Sequence, residues 1–293
     1  MIGLVTDSNS QIPADLARRL HVEVVPLTVT VDGVSYIEGV DIDADAFWAL
    51  FEGATPQVTT AQPSPGRFVE AYEAAARRGA DAILSVHIGS DLSGTINTAR
   101  LAAASAPVPV HIVDTGTASF AVACCVWEAA LAVAAGASVE EAAAAAESVA
   151  ATVGMVFVVK ALDLARAGGR LATAAPEAVL KLGADVVPVL TLIGGAMEIV
   201  GQVANVEFAA DVMADQVRMA GSSLRVGVGL ADPATAPLAH ALEDRLLEAP
   251  GVCDVVRYRV GPSVGAHTGP GTVGAVWYPA GIQGGGVSPT GPR

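Results

Sequence analysis

The first half of the chain alternates short runs of Val, Ile and Leu with alanine-rich stretches of helical spacing. The apolar runs fall at residues 2–5, 22–27, 82–87 and 110–113, and polar or glycine-bearing segments end each of them. Continuous apolar runs separated by helices are typical of strands in βαβ units, where both faces of a parallel sheet are covered. The pattern therefore predicts an α/β fold built on a parallel sheet.

Local signals support the helices between and after these strands. Ser64 followed by Pro65 is typical of a helix start, and Ser138 with Glu141 forms a capping box ahead of a long alanine run. The apolar stretch 120–135 is short for a membrane span and is interrupted by a glutamate. We interpret it as a buried helix, and we expect no stable membrane insertion.

The sequence changes character after Gly154. Strands are predicted at the following segments: 155–159, 186–192, 196–200, 225–230 and 252–260. A short helix is predicted at 162–166, and the Gly194-Gly195 pair predicts a hairpin. The chain should therefore form two domains, namely an N-terminal α/β/α parallel-sheet domain (1–154) and a C-terminal two-layer mixed α/β domain (155–280). Residues 281–293, rich in Gly, Pro, Ser and Thr, are predicted to be a flexible tail.

Charge and cysteine usage exclude several classes of function. A net charge of −14 removes the diffuse attraction to phosphate backbones and anionic lipids that basic proteins use, so nucleic acid is not an expected partner. Helix amino ends and local donors can still bind a small anion in an acidic protein. The three cysteines, Cys124, Cys125 and Cys253, have no metal-ligand spacing, so neither a metal site nor a disulfide framework is expected. The first residues lack the features of a signal peptide, which predicts a cytoplasmic protein.

Two segments that lead into predicted helices are rich in hydrogen-bonding groups. One is 59–64, with Thr60 and Gln62, and we interpret it as a loop leading into a helix. The other is 89–95, with Ser93, and it follows the strand that ends at His87. In a parallel sheet, a loop that follows a strand as residues 89–95 do lies at the edge where ligands bind. A helix cap with its lead-in is the structural alternative for residues 59–64.

Two further segments combine glycine with a cationic or imidazole side chain. Arg166 and Arg170 flank a glycine pair, which suits a phosphate or carboxylate but also a plain helix stop. His267 lies in a run so rich in glycine and proline, residues 261–271, that we predict a loop rather than a helix or strand. The other four histidines, including His87, are interpreted as structural.

Standard catalytic motifs do not account for these segments. The sequence around Ser93 is neither a Walker loop nor a dinucleotide fingerprint, and it is not a Gly-x-Ser-x-Gly elbow. A serine hydrolase remains an alternative if Ser93 meets His267 and an acid such as Asp7 or Asp114 in space.

Six motifs nevertheless occur in the order seen in one family, and they span nearly the whole chain: Thr6-Asp7-Ser8, Thr60-Ala61-Gln62-Pro63-Ser64, Ser93-Gly94-Thr95, Asp114 with Ser119, Gly168-Gly169-Arg170, and Gly265-Ala266-His267-Thr268-Gly269-Pro270-Gly271. The chain thus resembles the DegV family. The resemblance implies a two-domain protein that holds a long-chain fatty acid, with its carboxylate between the domains and its tail in an apolar tunnel. It also implies a non-catalytic role, without a cofactor, in which the acid can be presented to a partner kinase that makes an acyl phosphate.

The same resemblance implies which residues contact the ligand. Thr60 and Ser93 would bind the carboxylate and His267 would complete the cluster, within a wider set of ligand-binding residues: Thr60, Gln62, Ser93, Gly94, Thr95, Asp114, Ser119, Arg170, His267 and Thr268. The substrate-binding subunit of the dihydroxyacetone kinases shares this kind of fold, so a related enzyme subunit is a further alternative.

The sequence departs from the family pattern at three places. Ala61 stands where the family usually has serine, which removes one hydroxyl donor. Val187-Pro188 replaces the usual Lys-Pro pair, and a usual arginine is missing near residues 202–204. Arg170 is then the main basic residue left on this side. These losses weigh against a kinase partner and leave fatty-acid binding as the leading interpretation.

Overall fold

The computed structural model describes residues 1–159, 186–193 and 196–280. Its strands are β1 (Ile2–Asp7), β2 (Val22–Val25), β3 (Thr28–Val31), β4 (Val34–Ile37), β5 (Val58–Ala61), β6 (Ala82–His87), β7 (Val110–Asp114), β8 (Gly154–Val158), β9 (Val187–Ile193), β10 (Ala196–Val203), β11 (Leu224–Leu230), β12 (Val252–Arg259) and β13 (Val273–Pro279). Its helices are α1 (Ala14–Arg19), α2 (Ala44–Ala49), α3 (Pro65–Arg77), α4 (Thr95–Ala103), α5 (Phe120–Ala134), α6 (Val139–Thr152), α7 (Ala209–Met219), α8 (Ala236–Leu247) and α9 (Pro262–Thr268).

The four strands predicted in the first half form a parallel sheet in the order β2-β1-β6-β7. Successive side chains of a strand point to opposite faces, and both faces of this sheet are buried. Val5 belongs to a core cluster with Phe68 of α3, whereas Leu4 belongs to the cluster that contains the buried residues of α5 and α6. The predicted α/β/α layering is confirmed.

A small antiparallel sheet, ordered β4-β3-β5, was not expected from the sequence. Its strands have four residues each, and β5 reads Val-Thr-Thr-Ala, which lacks the apolar run used to recognise a strand. The prediction that Thr60 lies in a loop is therefore wrong. Thr60 pairs with the fully buried Val29 of β3, and this pairing fixes its position.

The second half forms a mixed sheet in the order β10-β9-β8-β13-β11-β12. Helices α7 and α8 bury one face through residues such as Met213 and Leu242, and the other face meets the first half of the chain. The strands predicted here are present, and β9 pairs antiparallel with β10 as the hairpin prediction requires. Strand β13 was not predicted, because it follows the glycine- and proline-rich residues 261–271, which were interpreted as a loop. The predicted helix 162–166 and the tail 281–293 lie outside the described residues, and the domain boundary at 154 stays a prediction.

Helix α5 is the buried helix predicted from the apolar stretch. Its side chains are buried from Phe120 to Ala130, and the Phe120 ring lies where Gly227 of β11 has no side chain. A Cβ added to Gly227 would come within 2.4 Å of that ring. Close contact between α5 and the mixed sheet therefore joins the two halves. In the described ranges, no helix combines the length and apolarity that a membrane crossing requires.

Burial should control the reactivity of the cysteines. Burial raises the pKa of the Cys125 thiol to about 12 and holds that of Cys124 well above its usual value, whereas Cys253 is exposed. Because the thiolate is the nucleophile, we expect iodoacetamide at pH 8 to modify Cys253 alone in the folded protein. In concentrated urea all three cysteines of the sequence should react, as measured by intact mass. Rapid native labelling at Cys124 or Cys125 would contradict this prediction.

Candidate ligand-binding site

An apolar cavity lies between the parallel-sheet half and the mixed sheet, and we call it the interdomain cavity. Met155, Phe157, Leu192 and Val276 form one wall of it. These side chains come from adjacent strands, since Met155 is opposite Val276 in the pairing of β8 with β13. The remaining apolar part comes from several elements and comprises Leu27, Ile88, Leu92, Ala118, Val156, Val260, Val264, Gly274 and Ala275. Such a surface buries hydrocarbon.

Polar groups from distant parts of the chain also line the cavity. Thr60 lies on β5 and its Oγ1 is 2.9 Å from Nε2 of His267, which is 207 residues away in sequence. The prediction that His267 lies in a loop is wrong, because residue 267 belongs to helix α9. Pro262 occupies the first turn of α9, where its missing N–H costs nothing. Thr268, at the end of this helix, is a further lining residue.

The loop before α4 brings Ser93 to the same cavity. The Ser93 Oγ is 2.8 Å from the Thr95 Oγ1, so the two hydroxyls form a pair at the amino end of the helix. Gln62 is not among the residues that line the described part of the cavity. Its Nε2 donates to Thr98 Oγ1 at 3.0 Å, and its side chain occupies the space above Gly94. Gln62 thereby joins the end of β5 to the Ser93 loop.

A second polar group of the cavity wall consists of Asn9, Ser119 and Tyr258. Asn9 Oδ1 accepts the Ser119 N–H at 2.9 Å, and this bond holds Ser119 at a φ of 60° that L residues rarely adopt. The Tyr258 ring stacks on Phe120 at 4.5 Å. Burial raises the pKa of Tyr258, partly offset by its hydrogen bond with Ser119, so this phenol stays protonated at neutral pH.

A buried carboxylate organises the edge of the parallel sheet beneath this group. Asp7 Oδ1 accepts the Asn9 N–H at 3.0 Å, and its Oδ2 accepts the Ile88 N–H at 3.1 Å. The same Oδ2 is 2.9 Å from Nδ1 of His87, whose Nε2 is 2.6 Å from Ser85 Oγ. These contacts give His87 the structural role predicted for it. They also fix the backbone at Asn9 and Ile88, which both line the cavity.

The remaining predicted ligand-binding residues have different positions. Asp114 Oδ1 accepts the N–H groups of Ser90 and Gly116, both at 3.1 Å, and these bonds hold two loops in place. Asp114 is not among the residues that line the described part of the cavity. Arg170 lies outside the described residues. Asn9, Tyr258, Ser263 and Thr272 were not predicted, yet each contributes to the wall. Asn9 directly follows the Thr6-Asp7-Ser8 motif, so its position beside that motif could have signalled it.

The geometry does not favour the hydrolase alternative. The hydroxyl hydrogen-bonded to His267 Nε2 is that of Thr60, and Ser93 Oγ pairs with Thr95. The acids considered for a triad are engaged elsewhere, Asp7 with His87 and Asp114 with loop N–H groups. Within the described ranges, no three His, Cys, Asp or Glu side chains are grouped to hold a metal ion.

Fold and cavity together define a class of protein. It is a two-domain α/β protein that contains an apolar cavity and presents hydroxyl and imidazole groups at the cavity wall. The wall is suited to a ligand with a long hydrocarbon part and a small hydrogen-bonding head.

The chain belongs to the DegV family. The family model described as "Uncharacterised protein, DegV family" matches residues 1–280. A DegV domain-containing protein of Streptomyces coelicolor is 37% identical over 276 residues, which cover 94% of this chain and 97% of that protein.

Solved structures of the family have the same fold. A DegV family protein from Thermus thermophilus, described for its fatty acid binding, is 34% identical with a TM-score of 0.83, covering 95% of this chain and 99% of that one. DegV from Bacillus subtilis, described as a fatty acid binding protein, is 26% identical with a TM-score of 0.81, covering 94% of this chain and 98% of that one.

Proposed function

We propose that this protein binds one long-chain fatty acid in the interdomain cavity and acts as a non-catalytic carrier. The observation that carries the proposal is the wall itself, which joins an apolar sheet face to the hydroxyls of Thr60 and Ser93 and the imidazole of His267. The fatty-acid binding described for the Thermus and Bacillus relatives supports the same ligand class.

The chemistry of the wall fits both ends of a fatty acid. A carboxylate removed from water needs several donors, and hydroxyls with an imidazole supply them without a full counter-charge. Each buried methylene contributes about 0.8 kcal/mol, so the acyl chain would supply most of the affinity. We assign Thr60, Ser93 and His267 to the carboxylate, and Met155, Phe157, Leu192 and Val276 to the acyl chain.

We do not propose that the protein presents the acid to a kinase. The two places where the family's basic residues are missing are neighbours in the structure, since Gln202 of β10 lies opposite Pro188 of β9. Their loss therefore removes positive charge from a single patch. The absence of these basic residues agrees with a carrier whose bound acid is not phosphorylated at this surface.

Native mass spectrometry of freshly purified protein tests the proposal. We expect a mass excess equal to one long-chain fatty acid, which should disappear from the same sample under denaturing conditions. Protein stripped of lipid and incubated with palmitate should regain the excess. The absence of any acyl chain after purification, together with failure to load palmitate, would refute the function.

A further inference from the structure

Helix α9 belongs to the second half of the chain, but side chains of the first half hold its amino end. Glu38 Oε1 accepts the Ser263 N–H at 2.8 Å, and Gln11 Oε1 accepts the Gly261 N–H. Gln11 Nε2 also donates to Ser263 Oγ at 3.2 Å. These bonds satisfy N–H groups that a helix start leaves without partners inside the helix.

The packing of α9 leaves little room for it to shift. A Cβ added to Gly265 would lie 2.7 Å from the rings of both Phe47 and Trp48 of α2. Trp48 Nε1 also donates to the Val260 carbonyl, just before the helix, at 2.8 Å. The helix is thus seated on the first half by close contact as well as by hydrogen bonds.

Glu38 is a buried residue whose carboxyl group has hydrogen bonds with Ser263, Ser8 and Gln11. The residue is 6% exposed, and its second carboxyl oxygen accepts a hydrogen bond from the Ser8 hydroxyl, whose Oγ in turn accepts the Leu27 N–H at 2.9 Å. Burial raises the pKa of Glu38, and its hydrogen bonds with Ser263, Ser8 and Gln11 oppose that shift. A carboxylate at the amino end of a helix is also favoured by the helix dipole.

Because α9 is short, the position of its amino end determines the position of His267 near its carboxyl end. Ser263 and His267 are four residues apart, about 6 Å along the axis of a helix, or roughly one turn. Because so short a helix moves as a unit, displacement of Ser263 would move the imidazole away from Thr60, 2.9 Å from it. The bonds at the amino end therefore set where His267 stands in the cavity.

We propose that Glu38 is a positioning residue for ligand binding, holding α9 so that His267 stays beside Thr60 at the cavity wall. The consequence for the ligand rests on the proposed function, but the effect on His267 does not. Glu38 contacts Ser263 of α9 and the Ser8 hydroxyl. It would therefore act on the ligand only through His267.

The test compares Glu38→Ala and Glu38→Gln with wild type by two measurements. The first is the NMR spectrum of protein labelled with ¹³C-histidine, with the His267 signal assigned from His267→Gln. The second is palmitate affinity from displacement of a fluorescent fatty acid. For Glu38→Ala we expect a shifted His267 signal and at least 10-fold weaker palmitate binding. Glu38→Gln, which keeps an acceptor oxygen for Ser263, should lie closer to wild type in both.

Two further variants keep the test decisive. Met213→Ala should destabilise the fully buried core beneath α7 without moving the His267 signal or the affinity, which separates positioning from general loss of stability. If Glu38→Ala fails to fold, Gln11→Ala should change both readouts in the direction expected for Glu38→Ala. An unchanged His267 signal in folded Glu38→Ala would overturn the inference. A shifted signal in a protein whose wild type binds no palmitate would uphold it while refuting the proposed function.

Discussion

Substitution of Thr60 by valine should weaken palmitate binding by about 10- to 100-fold and leave the protein folded. Valine keeps the volume and β-branching that suit β5, but it removes the hydroxyl that lies 2.9 Å from His267 Nε2. Hydrogen bonds to charged groups contribute about 1.5 to 3 kcal/mol, and a tenfold change in affinity corresponds to about 1.4 kcal/mol. The measurement is titration of lipid-free protein with palmitate by calorimetry.

Thr152→Val is the matched control for this prediction. Thr152 Oγ1 donates to the Ser148 carbonyl within α6 at 2.9 Å, so the same chemical change occurs outside the cavity. Palmitate affinity should then equal that of wild type. An unaltered affinity in Thr60→Val would remove Thr60 from the carboxylate site. Equal losses in both variants would point to a general effect on the fold.

Removal of Glu128 should lower the free energy of unfolding by about 3 to 5 kcal/mol. Glu128 of α5 accepts from Arg225 of β11, and the Tyr278 hydroxyl donates to the same carboxylate oxygen at 3.0 Å. Glu128 is 8% exposed and Arg225 is 18% exposed, so Glu128→Ala would leave a largely buried guanidinium without its carboxylate. Urea denaturation followed by circular dichroism measures the change.

Two comparisons separate burial of the charge from loss of an ion pair. Glu73→Ala removes an exposed pair with Arg77 and should cost less than about 0.5 kcal/mol. The double substitution Glu128→Leu with Arg225→Leu removes both charges and should recover much of the loss, since apolar replacements of a buried pair are often tolerated. A loss below 1 kcal/mol in Glu128→Ala would show that Arg225 finds another partner or water.

The ion pair explains why a glutamate, Glu128, lies within the apolar stretch 120–135. Glu128 interrupts an apolar stretch, which argued against a membrane span but did not indicate a role for the residue. Its partner is 97 residues away on a strand of the other half. Periodicity within α5 predicts burial of the helix, but it contains no information about a cation elsewhere in the chain.

The cavity residues show the same limit. The order of short motifs predicted Thr60, Ser93, Ser119, His267 and Thr268 as ligand-binding residues, and the structure places all five at the interdomain cavity. Their contact with a ligand remains a proposal. The local structure of two of them was predicted incorrectly, since the segment of Thr60 is a strand and that of His267 is a helix.

The sequence by itself determined the parallel sheet, the burial of α5 and the capped start of α6, because periodicity, apolar runs and capping residues act over a few neighbouring positions. Only the tertiary structure decided that Pro262–Thr268, within a run rich in glycine and proline, forms a helix. Gly265 lacks a side chain where α9 presses on Phe47 and Trp48, and Glu38 and Gln11 supply acceptors for its first N–H groups. Contacts between residues more than 200 positions apart outweigh local helix propensity there, and they place His267 beside Thr60.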